Sequence, residues 1–196
     1  KHPVREYLDT LKWDGAPRLD TLFIDYLGAE DCDYIRAVAR KSFTAAVARI
    51  FRPGTKYDNV VVIVGRQGIG KSTLIRKMGR EWFSDNFHAV QGKDSVEQIL
   101  GVWLMEIGEL AGLKKAEVEA IKSYISTQED RCRLAYARRV ESFPRQTVFF
   151  GTTNNRDFLR DPSGNRRFWP VDAEEHQPEK CVFDDLDEET IGQLWA

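Results

Sequence analysis

Gly65-Arg66-Gln67-Gly68-Ile69-Gly70-Lys71-Ser72 fits the pattern GxxxxGK[ST], and it stands between the fully apolar run Val60–Val64 and a stretch that reads as a helix. Nothing else in the chain constrains its fold as tightly. The pattern recurs by chance in many sequences, but strand, glycine loop and helix in this order are the context its chemistry requires. Glycines let the backbone curl so that successive amides face inward around phosphate oxygens, and the start of the helix adds partial positive charge. On this reading Gly65, Arg66, Gln67, Gly68, Ile69, Gly70, Lys71, Ser72 and Thr73 surround a polyphosphate. Lys71 bridges the β- and γ-phosphates, and Ser72 offers its hydroxyl to Mg²⁺. The alternative is a glycine-rich turn that binds nothing.

A β-branched apolar run predicts a strand buried on both faces. Two further strong strands are expected at 102–107 and 147–152, and weaker ones at 87–90 and 167–171. Helices are expected at 71–82, 94–100 and 115–126. This alternation predicts an α/β fold of the P-loop class, a mostly parallel five-stranded sheet flanked by helices. Ahead of it, residues 4–12, 18–28 and 33–51 read as helices. Ile35, Val38, Ala39, Phe43, Val47 and Ile50 keep to steps of three and four, and Pro53-Gly54 ends the last helix. The chain thus divides into a helical segment (1–54), a P-loop core (55–172) and an acidic segment (173–196). It opens without Met and closes inside a predicted helix, as an excised piece of a longer protein would.

Hydrolysis of a bound triphosphate needs an acid beside the metal and a group that orients water. The strand at 102–107 carries Glu106 near its C-terminal end, the edge of a parallel sheet where ligands bind. Glu109 follows, beyond Gly108. In a continuous strand the two would face opposite ways, but a bend at Gly108 brings both towards the γ-phosphate. Glu106 is assigned to the metal, and water activation stays open between Glu109 and Glu106. Glu109 as the start of a solvated loop is the plainer reading. The strand at 147–152 runs into Thr153-Asn154, and Asn154 is the candidate sensor of the γ-phosphate, unless Thr and Asn only form a turn. Arg166 and Arg167 precede an aromatic segment. Guanidinium groups neutralise charge on a transferred phosphoryl group and often come from a neighbouring subunit. Pairing with a carboxylate or stacking on Trp169 is the alternative for each.

Composition narrows the classes. With 42% hydrophobic and 31% charged residues the chain can build a core, so global disorder is excluded. No apolar run approaches the ~20 residues of a membrane span, so a membrane protein is not expected. Three scattered cysteines argue against a disulfide framework or zinc module and for a reducing, cytoplasmic setting. Of 29 basic and 31 acidic residues, one base and nine acids lie in 172–189, which leaves residues 1–171 with a net charge of +6. That body is basic enough for a polyanionic partner.

Several motifs together resemble one family: His2-Pro3-Val4-Arg5-Glu6-Tyr7-Leu8, Leu11-Lys12-Trp13-Asp14-Gly15, Gly68-Ile69-Gly70-Lys71-Ser72, Glu106-Ile107-Gly108-Glu109-Leu110, Gly151-Thr152-Thr153-Asn154 and Asn165-Arg166-Arg167-Phe168-Trp169-Pro170. The chain is similar along nearly its whole length to the virulence-associated protein E family of phages and phage-related islands. The resemblance implies an AAA+-like ATPase core akin to superfamily-3 helicases, which work on DNA as homo-oligomeric rings in replication, and it maps the arginine finger to Arg166 or Arg167. Where many superfamily-3 helicases carry two adjacent acids, Ile107 follows Glu106. The resemblance also puts a basic, pore-facing hairpin between the strong strands. There Arg131, Arg133, Arg138, Arg139 and Arg145 crowd together with Tyr136 and Phe143, and Lys114, Lys115 and Lys122 extend the surface. Arginines that hold phosphates beside an aromatic ring suit single-stranded or forked DNA; a solvated basic loop is the alternative. The expected activity is a Mg²⁺-dependent ATPase and replicative helicase of phage or phage-island origin. Rival readings are a nucleotide-gated interaction module and a P-loop phosphotransferase. The loop itself grips phosphates rather than bases, so ATP follows from the resemblance.

Overall fold

A computed structural model describes residues 2–133, 139–155 and 165–196. Strand β1 (Val60–Val64) is buried at every position. Val61 and Ile63 point into one apolar layer and Val60, Val62 and Val64 into the other, as the two-residue period of a strand requires. Two covered faces are why this run carries no polar alternation.

Around β1 the sheet is built from β2 (Phe83–Ser84), β3 (Leu104–Ile107), β6 (Val148–Thr153) and β7 (Phe168–Asp172), in the order β2-β3-β6-β1-β7. Every pairing is parallel. The strand carrying Glu106 is therefore separated from the P-loop strand by β6, whose polar tip lies directly beside the loop. A separate antiparallel ribbon joins β4 (Glu129–Cys132) to β5 (Glu141–Pro144).

One face of the sheet is covered by α1 (Pro3–Thr10), α2 (Leu22–Leu27), α3 (Asp33–Phe51), α4 (Lys71–Gly79) and α7 (Glu188–Trp195). These share one apolar cluster, so residues before Gly54 and after Val171 pack into the same core as the sheet. Trp103 and Trp195 stack at 4.1 Å between ring centres. Their indole N–H groups donate to the carbonyls of Ala46 and Met78, both at 3.0 Å, which makes burial of two such rings affordable. The other face carries α6 (Lys115–Ile125), through Ile121, Tyr124 and Ile125. Helix α5 (Gly92–Glu97) leads from β2 towards β3.

Most expected elements form within a residue or two of their predicted ends. The strand expected at 87–90 does not. Its place at the sheet edge is taken by Phe83–Ser84. The side-chain amide of Gln98 accepts from the N–H groups of His88 (3.0 Å) and Ala89 (3.2 Å) and donates to the carbonyl of Ala89, replacing the bonds a neighbouring strand would supply. The helix from Lys71 ends early because Arg80 adopts φ +53°, and a 3₁₀ turn, Arg80–Trp82, follows. Helix α2 starts at Leu22, four residues later than expected, and Gly28 at φ +66° stops it close to its expected end. A Cβ there would lie 2.1 Å from the carbonyl oxygen of His176. The acidic segment thus runs close against this turn, and only glycine fits.

Candidate functional site

The C-terminal ends of β1, β6 and β3 converge on a cavity of about 380 Å³, lined by Gln67, Gly68, Gly70, Lys71, Ser72, Thr73, Glu109, Thr152, Thr153, Asn154 and Phe183. Its floor is the start of α4. The first turn of this nine-residue helix has no side-chain cap, so its amides are available to an anion together with the helix dipole. Gly70 turns the chain into the helix at φ +96°, and a Cβ on it would press on Val182 at 3.0 Å. Conformation and space both require glycine there.

Lys71 extends along the loop. Its Nζ donates to the carbonyls of Gly65 (2.6 Å) and Arg66 (2.7 Å) and to Asn154 Oδ1 (3.2 Å). Burial lowers its pKa, opposed by the nearby Glu174 and Glu106 carboxylates. Glu106 is 3% exposed, and its Oε1 accepts from Ser72 Oγ and Thr152 Oγ1, both at 2.6 Å. Two hydroxyls and a carboxylate oxygen are thereby held together beside the phosphate loop. These are hard oxygen donors, the chemistry that Mg²⁺ prefers. Among the described residues no cluster of three or more His, Cys, Asp or Glu is arranged to hold a metal ion by itself.

Glu109 is exposed on the rim of the same cavity. The bend expected at Gly108 occurs one residue later: Glu109 itself takes the left-handed conformation, φ +53°, at the start of the 3₁₀ turn Leu110–Gly112. Thr153 Oγ1 donates to the carbonyl of Asn155 (3.0 Å) and accepts from its N–H (3.2 Å), closing the turn that presents Asn154 to Lys71.

Three contributors had no assigned role in the sequence reading. Thr152 bonds Glu106, and the polar run at the tip of β6 was the signal for it. Glu174 clasps the loop from outside. Its carboxylate accepts from the Arg66 backbone N–H at 3.1 Å and from Arg66 Nε at 2.7 Å, and the bonds to Arg66 hold its pKa below the usual carboxylate range. Phe183 arrives from the acidic segment, far away in sequence. Neither Glu174 nor Phe183 lies in a motif that would have marked it.

Arg166 and Arg167 lie at the opposite end of the sheet. They precede β7, whose first residue pairs with Val60, whereas the phosphate loop follows Val64. Arg166 is exposed and its carbonyl accepts from Asn59 at 3.1 Å. Arg167 Nε donates to Ser126 Oγ at 3.0 Å and lies 3.9 Å from Asp58. Neither is brought to its own chain's cavity.

The expected basic hairpin coincides with the β4–β5 ribbon, where Arg131, Arg133 and Arg139 are exposed. Arg138 and Tyr136 lie outside the described residues. Arg145 is a correction. It is 2% exposed, clamps Asp130 through Nε (2.5 Å) and Nη2 (2.8 Å), donates to the Tyr124 carbonyl and stacks 4.1 Å over the Tyr124 ring. A guanidinium so enclosed has no face left for a phosphate. Lys122 is likewise 4% exposed and bridged to Glu119 at 2.6 Å, so it does not extend the basic surface, while Lys114 and Lys115 are exposed.

The model of the virulence-associated protein E-like domain matches residues 8–196. This chain belongs to that family. No curated protein matches this VapE-like domain in sequence. Among solved structures it is similar to the C-terminal region of NrS-1. Three apo structures of that region align with TM-scores of 0.54, 0.57 and 0.58 at 14%, 16% and 14% identity, over 96% of this chain. At such identity the likeness concerns the fold. The domain spans about half the length of those chains, 44–47%. Among the described residues no helix is long and apolar enough to cross a membrane.

Proposed function

We propose that this domain is the Mg²⁺-dependent ATPase core of a phage-type replication motor, acting on single-stranded or forked DNA as a homo-oligomeric ring. The observation that carries this reading is the buried Glu106 carboxylate, bonded by Ser72 and Thr152 and set beside Lys71 and Asn154 at the mouth of the phosphate loop. In that arrangement the amides of the first turn of α4 and Lys71 hold the β- and γ-phosphates. Ser72 and Glu106 would hold Mg²⁺, which neutralises charge on the phosphate oxygens when bound. Asn154, already within reach of Lys71, orients on the γ-phosphate. On this reading Glu109, on the rim, accepts a proton from the attacking water, while Glu106 keeps the two hydroxyls.

The distance of Arg166 and Arg167 from their own cavity favours a role in trans. A finger at one end of the sheet can reach only the site of a neighbouring copy, so the ring and the finger stand or fall together. The family membership and the exposed arginines of the β4–β5 ribbon support the DNA partner. The test is ATP turnover with and without single-stranded DNA, beside a mass measurement of the assembly. Stimulation by DNA in an oligomer is the expected result. A monomer whose turnover ignores DNA would sink the motor reading, and slow turnover with tight nucleotide retention would favour a nucleotide-gated interaction module instead.

A further inference from the structure

The acidic segment after β7 does more than cover the core. Residues 181–186 form a tight turn, with the Asp185 N–H donating to the Cys181 carbonyl at 2.9 Å and Asp185 Oδ2 accepting from the Cys181 N–H at 2.6 Å. Lys77, on α4, pins this turn by donating to three of its carbonyls: Val182 at 2.9 Å, Phe183 at 2.8 Å and Leu186 at 3.0 Å. Val182 is buried against Gly70, and Leu186 is fully buried. Between these anchors Phe183 is left 54% exposed, and it lines the phosphate-loop cavity. A lone exposed aromatic ordinarily needs no explanation. This one is held by a fixed backbone in a cavity whose other walls are Gly, Lys, Ser, Thr, Asn, Gln and Glu.

The direction of a bound nucleotide follows from the same residues. Glu106, Asn154 and Glu109 define the γ-phosphate end, and the first-turn amides at Lys71 and Ser72 hold the middle of the chain. The sugar and base then leave on the side away from Glu106 and Asn154, past Thr73 and Gly70, where the turn carrying Phe183 packs. We infer that Phe183 is the stacking platform for the nucleobase, so that the acidic C-terminal segment completes the nucleotide site. This rests on the triphosphate-binding reading given above. Stacking on one face is tolerant of base identity, since every base has a π-face, so the platform supplies affinity rather than discrimination between purines.

Titrating the whole domain, in Mg²⁺, with a non-hydrolysable imido analogue of ATP and separately with inorganic tripolyphosphate isolates the base. The Phe183→Ala variant should bind the nucleotide about tenfold or more weakly, the scale of aromatic–base stacking, and bind tripolyphosphate as the parent does. Phe183→Trp should keep nucleotide affinity and show indole quenching with the nucleotide but not with tripolyphosphate. Unchanged nucleotide affinity in Phe183→Ala would overturn the inference. Equal losses for both probes would also overturn it, because Phe183 would then act through the fold. If the parent protein binds neither probe, the triphosphate reading itself fails, a result distinct from either of the others.

Discussion

Arg145 separates two accounts of the basic hairpin, and the structure sets the scale of the difference. Changing Arg145→Met removes a guanidinium that is 2% exposed and doubly bonded to Asp130, leaving a carboxylate that is about nine-tenths buried without its counter-charge. Breaking one side of such a buried pair costs about 3–5 kcal/mol. For a chain of 196 residues, where 1 kcal/mol shifts the melting temperature by roughly 2–4 °C, that is a fall of about 6–20 °C. Removing both charges, as in Asp130→Leu with Arg145→Met, should recover much of the loss, because the orphaned carboxylate is gone. A residual ~1–3 kcal/mol remains, since the Tyr124 carbonyl also loses its donor. Urea denaturation of the single and double variants measures this directly. Arg131→Ala on the exposed side of the same ribbon should leave stability within ~0.5 kcal/mol and lower the salt slope of DNA binding by about one. If Arg145→Met melts like the parent and loses only DNA affinity, the structural role assigned to Arg145 is wrong.

Other consequences are as direct. Glu109→Gln should cut ATP turnover by about 10²–10⁴-fold with little change in KM, the scale of a lost general base; unchanged kcat would remove Glu109 from the chemistry. Glu106→Gln should instead raise the Mg²⁺ concentration needed for half-maximal turnover, and an unmoved Mg²⁺ midpoint would contradict its place at the metal. Mixtures of Lys71→Ala with Arg166→Ala, or with Arg167→Ala, should recover activity that each lacks alone; no recovery at any ratio with either partner ends the trans finger. The Glu174 carboxyl has a folded-state pKa held below its ordinary 4.5 by Arg66. Its contribution is therefore complete above pH 4.5 and lost as pH falls through the lower folded value. Denaturation curves of Glu174→Gln should show less loss of stability across that acid window than the parent, and identical slopes would deny the clasp.

The features that could be read from sequence are those whose physics is local. Val60–Val64 announces a doubly covered strand because five apolar residues in succession leave no solvent face, and the glycine loop announces itself because left-handed turns at Gly68 and Gly70 admit little else. Glu106 and Asn154 could be singled out because strand tips of a parallel sheet are where ligands bind. What escaped depended on distant partners. In the stretch expected as a strand at 87–90, the Gln98 side chain takes the N–H groups of His88 and Ala89 and the carbonyl of Ala89, bonds that a neighbouring strand would otherwise make. Arg145 reads as one more cation in a basic stretch until Asp130, fifteen residues earlier, is seen to face it across the ribbon. Glu174 reaches the phosphate loop because β7 pairs with β1 and the Leu27 carbonyl accepts from the Glu174 N–H at 2.9 Å. Phe183 reaches it because Val182 docks on Gly70 and Lys77 gathers the carbonyls of Val182, Phe183 and Leu186. No periodicity encodes that docking.

Phosphate release from ATP, followed with Mg²⁺ present and then with the metal chelated, for the parent domain beside Lys71→Ala, interrogates the site most directly. Turnover that requires Mg²⁺ and vanishes in Lys71→Ala is what the arrangement of Lys71, Ser72 and Glu106 demands. Turnover that persists in the variant, or that ignores the metal, would mean that this cavity is not where the chemistry occurs.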